Sequence, residues 1–252
     1  MICHYSRDET VFTHNGLGVL DHEIIRPVVH EELNGCFMLE FEYPLKARHG
    51  NALMPEVILR CPVPDLPDQL FRISERNKAT GGRVQIIAHH IFYDLAKNFV
   101  EDTFVVNKTG TGALAQMLGA TQFPHRFTAT SNIIAANSAR MVRLNPVEIV
   151  LDPVLDNGFR SRWGGEIVRN NFTFTMNTAR GSNTGVQIRD KKNLTGYKST
   201  LDYSTIVTRI MPQGFDGLFL PEKYVDSPLI GQYVKPKIRV SSRRCSTSCN
   251  MK

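Results

Sequence analysis

Phe37, Leu39, Phe41 and Tyr43 alternate with Met38, Glu40 and Glu42. A period of two puts aromatics on one face and mostly acids on the other, which predicts a half-buried strand ended by Pro44. Pro62, Pro64 and Pro67 mark a loop or edge, because each lacks the N–H that a central ladder needs. Residues 69–76 and 83–90 flank the polar stretch Asn77-Lys78-Ala79-Thr80-Gly81-Gly82. This predicts a hairpin with a six-residue loop whose glycines take positive φ. Residues 1–95 therefore read as mainly β.

The middle of the chain differs. Leu114, Met117 and Leu118 stand at helical spacing within residues 109–119, with Gly119 as a stop. Asp152-Pro153 has the form of an N-cap followed by a first-turn proline, and predicts a short helix ending before Gly164-Gly165. Residues 96–158 read as a small mixed insertion. From 159 to 240 the β pattern returns, as Phe172, Phe174 and Met176 alternate with Thr173, Thr175 and Asn177. A turn over residues 178–185 leads to Val186-Gln187-Ile188, and another strand is expected over 205–211, ended by Pro212-Gln213-Gly214. Val84-Gln85-Ile86 follows a glycine turn in the same way, so the two β regions carry a weak internal repeat. Such a chain is built for shape. Residues 241–252 lack apolar periodicity and read as a disordered end.

Composition narrows this picture. At 252 residues, with 42% hydrophobic and 21% charged positions, the chain is large enough to bury a core without staples. No apolar run approaches bilayer length, and no basic segment followed by an apolar stretch opens the chain, so folding in a cytoplasm is expected. The net charge is +6. Six basic residues and no acidic ones lie from Lys235 onward, which leaves residues 1–234 formally neutral. The excess therefore belongs to a tail, and binding of nucleic acid through that tail is the weaker reading. The five cysteines (Cys3, Cys36, Cys61, Cys245, Cys249) do not supply two ligand pairs at zinc spacing, and are expected as reduced thiols.

Candidate chemistry is sparse. His89-His90 with Asp94 is the nearest thing to a catalytic cluster, but neighbouring side chains on a strand face opposite ways, so structural roles are expected. His30-Glu31-Glu32 begins like a zinc-peptidase helix, yet Asn34 stands where the second histidine is required. The glycine-rich stretch Lys108–Ala113 precedes a helix without phosphate-loop spacing. Gly16-Leu17-Gly18 lacks a third glycine and reads as a tight turn. Trp163 reads as a core anchor. No catalytic, cofactor-binding or metal-binding residue is assigned.

Several phrases, in order, carry a resemblance. They are Ala88-His89-His90-Ile91-Phe92-Tyr93-Asp94-Leu95, Trp163-Gly164-Gly165-Glu166 with Asn171-Phe172, Arg180-Gly181 with Gly185-Val186, and Lys192-Asn193-Leu194. Val207-Thr208-Arg209-Ile210-Met211-Pro212-Gln213-Gly214 and Tyr224-Val225-Asp226-Ser227-Pro228-Leu229 complete the set. Together, over roughly residues 15 to 238, they resemble the N-terminal baseplate-hub region of siphophage and prophage tail-associated proteins, the prophage tail endopeptidase or tail-associated lysin family. The resemblance implies an α+β, mainly β fold. It would have two antiparallel β-barrel-like domains (1–95 and 159–240), a mixed α/β insertion (96–158) and a disordered basic tail (241–252). It also implies a non-enzymatic structural subunit without cofactors. Its homotrimeric ring would sit at the virion tail tip after synthesis in the bacterial host cytoplasm. The partners implied are a distal tail protein and the tail tube, with DNA passing through the channel without specific binding and no membrane contact. Longer relatives carry a C-terminal lytic or host-binding domain. Here none is expected after the hub region, and residues 241–252 are expected to be a frameshifted or prematurely stopped end. The alternative is a cell-wall-degrading peptidase or muramidase of the tail, working through His89 or His90.

Overall fold

The alternation around Phe37 is realised in a seven-stranded antiparallel sheet. The computed structural model describes residues 1–79, 81–214 and 217–242. They belong to two units, Met1–Thr184 and Gly185–Lys252. The sheet contains β1 (Cys3–Tyr5), β2 (Gly18–Val19), β3 (Ile25–Glu31), β4 (Phe37–Pro44), β5 (Ile58–Val63), β6 (Leu66–Ala79) and β7 (Arg83–His90). Their order is β2-β1-β5-β6-β7-β4-β3. Along β4 the predicted aromatic face is buried and the Met/Glu face half-buried. Bulges between Cys61 and Val63 and between Ile73 and Glu75 bend the long hairpins. The sheet curls into a half-barrel around Leu39, Phe41, Tyr43, Leu59, Phe71 and Ile86. The ladder between β6 and β7 runs on to Ala79 opposite Arg83, so the turn is shorter than the six residues expected. Gly81 and Gly82 do take positive φ, +89° and +74°; Thr80 lies outside the described residues. The Gly16 turn is also real. Gly16 has φ +64°, Leu17 N–H donates to His4 O at 2.8 Å, and a Cβ at Gly16 would lie 2.3 Å from that same oxygen.

The rest of the first unit packs a second core. A 3-10 turn (Ile91–Lys97) leads to β8 (Val100–Lys108), α1 (Gly110–Gly119), β9 (Thr128–Ser131) and β10 (Asn137–Leu144). These are followed by α2 (Pro146–Leu151), α3 (Phe159–Arg162), β11 (Glu166–Asn170) and β12 (Thr173–Asn177). β8 and β10 form an antiparallel ribbon; β11, β12 and β9 form a sheet in which β9 runs parallel to β12. One cluster of buried side chains extends from Phe92 to Met176 and includes Ala113, Leu114 and Met117 of α1. The core therefore crosses residue 158.

Two local expectations are corrected. Asp152-Pro153 does not open a helix. Asp152 follows the end of α2, and its Oδ1 accepts Val154 N–H at 2.8 Å. The cap-and-proline signal belongs to Asn145-Pro146, where Asn145 Oδ1 accepts Glu148 N–H at 2.9 Å. Placing the helix there buries Ile149 and Val150, which decides the register. The second correction concerns Val186-Gln187-Ile188, which forms no strand and leaves Val186 and Ile188 exposed. A strand sequence needs an open edge, and both edges of β12, its expected hairpin partner, are taken by β11 and β9.

The second unit is built on β13 (Arg209–Gln213), β14 (Val225–Asp226) and β15 (Ile238–Ser242), with β13 in the middle. The strand expected over 205–211 is shifted and includes Pro212. β14 pairs only with Arg209 and Ile210, so one flank of β13 is unpaired at the proline. Arg209 clamps Asp226 through two bonds of 2.6 and 2.7 Å. Residues 243–252 lie outside the described residues, so the expected disordered tail is described only at its first two positions.

Candidate functional site

β7 sends His89 and His90 to opposite faces, as a strand must. His90 is fully buried, stacked on Phe37 with centroids 4.6 Å apart. Its Nδ1 accepts Phe92 N–H at 3.2 Å. Gln69 Oε1, which also accepts Asn171 N–H, lies 3.0 Å from its Nε2. Those partners require a neutral ring protonated on Nε2. Burial, with Arg169 nearby, holds its pKa down to about 3. His89 is half-buried, edge-on to Tyr93. Asp94 pairs with Arg72, both carboxylate oxygens lying 2.9 Å from Arg72 Nε. The three residues thus serve three separate contacts.

The network around His90 continues into a polar seam joining the half-barrel to β11. Arg169 shares the inward face of β11 with Ile167, and its side chain has no exposed surface. Nη1 donates to Gly35 O at 2.8 Å and to Tyr93 Oη at 2.9 Å, and Nη2 donates to Glu32 O at 3.2 Å. Glu31 stands 3.5 Å from Nη2 and is also clamped by Arg180 at 2.7 and 2.9 Å. The guanidinium carbon lies 5.1 Å from the Phe37 centroid and 5.9 Å from that of Tyr93, so aromatic faces balance part of the charge. Asn34 (φ +55°) donates to Gly165 O at 3.0 Å and accepts Ile167 N–H at 2.8 Å. Asn171 (φ +52°) accepts Leu70 N–H at 2.8 Å and donates to Asp68 O at 3.0 Å. Asparagine suits both positions, because it tolerates the left-handed region and pairs both backbone polarities.

Sequence reasoning named Asn34 only as the residue that spoils a zinc-peptidase motif and Asn171 only within a resembling phrase, and gave none of Arg169, Gln69, Asn34 and Asn171 a place in a polar seam. A signal existed for one of them: an arginine two residues after Ile167 on a half-buried strand is an inward cation that needs partners. Glu31, at the zinc-peptidase-like phrase, belongs to this ion cluster. The Lys108–Ala113 stretch starts α1, where Gly110 packs so closely that a Cβ would lie 2.4 Å from Ser131 Oγ. Among the described residues no three His, Cys, Asp or Glu converge as a metal site. None of the described helices is long and apolar enough to cross a membrane. Cys3, Cys36 and Cys61 are free thiols, and burial pushes Cys61 up to about 11. Cys245 and Cys249 lie outside the described residues.

Trp163 is the core anchor expected, stacked on Phe159 with centroids 5.2 Å apart and donating from Nε1 to Lys108 O at 2.9 Å. Replacing it by Phe should keep the stack and orphan that carbonyl. The expected loss is about 1–2 kcal/mol of unfolding free energy, read by circular dichroism in urea.

The feature suited to a partner is the outer face of the β8–β10 ribbon. Phe104 and Val106 on β8 are 59% and 53% exposed, and Val142 on β10 is 41% exposed. The cross-strand ion pair Asp102–Arg140, at 2.6 Å, lies beside them. Val105, Ala139 and Met141 point the other way into the core.

With this geometry in view, the comparisons are specific about the fold. The chain superposes on a crystal structure of prophage tail protein gp18 from Listeria monocytogenes EGD-e with a TM-score of 0.59. That match covers 96% of this chain and 71% of the other, at 16% identity. The 43 kDa tail protein of prophage MuSo2 from Shewanella oneidensis gives 0.55 over 84% of this chain and 66% of its own, at 11% identity. A tail protein from Neisseria meningitidis MC58 gives 0.52 over 82% and 63%, also at 11% identity. The fold is shared with prophage tail proteins. This chain spans about two thirds of their length. No protein-family model and no curated protein sequence matches it.

Proposed function

We propose that this chain is a structural subunit of a phage or prophage tail tip or baseplate hub, belonging to the tail-associated protein group that its sequence phrases resemble. The observation that carries the reading is the likeness to the Listeria prophage tail protein over 96% of the chain. In this reading the half-barrel within residues 1–95 is one barrel-like module, and residues 96–176, which share one buried core, do not separate into an insertion and a second module. Three copies close a ring that adapts the tail tube and a distal tail protein and lets DNA pass. Closure requires heterologous contacts, in which one patch of each copy meets a different patch of the next. The exposed Phe104, Val106 and Val142 row suits one side of such a contact. The reading is non-enzymatic, because His89, His90 and Asp94 are each engaged in packing or pairing.

Sedimentation and light scattering at micromolar concentration test it. The expected result is a trimer, reduced to monomer by combined Phe104→Glu and Val106→Glu with unchanged circular dichroism. A chain that stays monomeric alone and with the distal tail protein present overturns the reading. Digestion of purified cell wall that is lost in a His89→Ala/His90→Ala variant would favour the peptidase or muramidase alternative.

A further inference from the structure

An open cleft of about 620 Å³ lies in the first unit, where the loop after β1 faces the β5–β6 hairpin and the β11–β12 turn. Its size falls within the ligand-pocket range. Phe12, Leu70 and Phe172 give it an apolar lining, and the Phe12 and Phe172 ring centroids are 6.3 Å apart. Its charges are Arg60, Arg126 and Asp68. Arg60 is mostly buried and committed: Nη1 donates to Phe12 O at 2.5 Å, and Nε is 3.5 Å from the Asp68 carboxylate. That Nε is buried and makes no hydrogen bond among the described residues. Arg126 is exposed. Its guanidinium carbon is 4.2 Å from the Phe172 centroid, and Nη1 donates to Thr10 O at 3.0 Å.

Two cations and one anion leave the cleft one positive charge in excess, beside aromatic walls. We propose that it binds an apolar side chain carrying a neighbouring carboxylate, with the carboxylate on Arg126 and the apolar group against the adjoining Phe12 and Phe172 rings. A monoanion completes the charge balance, whereas a phosphate dianion would stand against Asp68. This inference does not depend on the tail-hub reading. The carboxylate has two possible sources, a chain terminus or an acidic side chain within a peptide.

Titration of the full chain, followed by NMR or calorimetry, uses four probes: N-acetyl-phenylalanine, its amide, the blocked dipeptide N-acetyl-Phe-Asp-amide, and inorganic phosphate. Saturable binding of a carboxylate probe is expected, with the amide about tenfold weaker or worse, as for loss of a charge-assisted hydrogen bond. Whichever of N-acetyl-phenylalanine and the dipeptide binds tighter identifies the source. Arg126→Gln should weaken binding by a similar factor, while Asp68→Asn should tighten it, a gain that damage to the fold would not produce. Equal binding of acid and amide, preference for phosphate by the unaltered chain, unchanged affinity in Arg126→Gln, or no saturable binding of either carboxylate probe overturns the proposal.

Discussion

Replacing Arg169 by Met is expected to lower the stability of the first unit by about 3–5 kcal/mol, the range for removing one partner of a buried ionic cluster. The substitution removes the guanidinium donors to Gly35 O, Glu32 O and Tyr93 Oη, leaving Gly35 O to the Tyr93 hydroxyl and Glu32 O to Gly35 N–H, and Glu31 with Arg180 as its ion-pair partner. Folded domains hold roughly 5–15 kcal/mol in total, so much of the margin would go. Arg169→Lys should recover only part of it, because a single ammonium cannot span positions that a planar fork reaches together. Urea unfolding followed by circular dichroism reads both variants. A Met variant within about 1 kcal/mol of the parent, below the penalty for an orphaned buried group, would show that the seam does not hold the unit together.

Acid is the second strong lever. His90 is held down to about 3 by burial and Arg169, and His4 to about 4 by burial and the His49 ring, whose Nδ1 is 3.0 Å from His4 Nε2. Unfolding restores both to about 6.5. Between that value and their folded values, the unfolded chain binds more protons than the folded one. Their contribution to stability is therefore complete above about pH 6.5 and falls as the pH drops toward 4 for His4 and 3 for His90. The expected slope is about 1.4 kcal/mol per pH unit for each histidine, so about 2.7 for the pair near the middle of that window. His90→Gln should be less stable than the parent at pH 7.5 yet show a flatter acid limb. Parallel acid limbs in the two proteins would refute the assignment.

The two halves of the first unit were unequally legible in the sequence. β4 could be read because its alternation is strict and one face meets a core, and α1 because Leu114, Met117 and Leu118 all turn inward. The helix start was misplaced because Asn145-Pro146 and Asp152-Pro153 carry the same local signal, and only packing of Ile149 and Val150 chooses between them. Val186-Gln187-Ile188 has strand chemistry, but pairing depends on an edge that local sequence does not reveal. The polar seam was hidden for a related reason. Gln69, Asn34 and Asn171 are ordinary surface types in a string of letters, and acquire their roles from partners more than a hundred positions away. For His89 and His90 the alternation of a strand was enough to separate their roles.

The bond from Gln69 to Asn170 spans 101 positions. On the ribosome, the half-barrel emerges long before the asparagines that complete its seam. At elongation rates of roughly 5–20 residues per second, the wait is on the order of 5–20 s. For that time the backbone N–H of Leu70 must rely on water and Gln69 keeps only its bonds to His90 and Pro67, and the nascent sheet offers an uncapped flank to neighbouring polypeptides. Slow translation across residues 91–171 should therefore favour aggregation of the nascent product, and a chaperone that shields this flank should raise the yield.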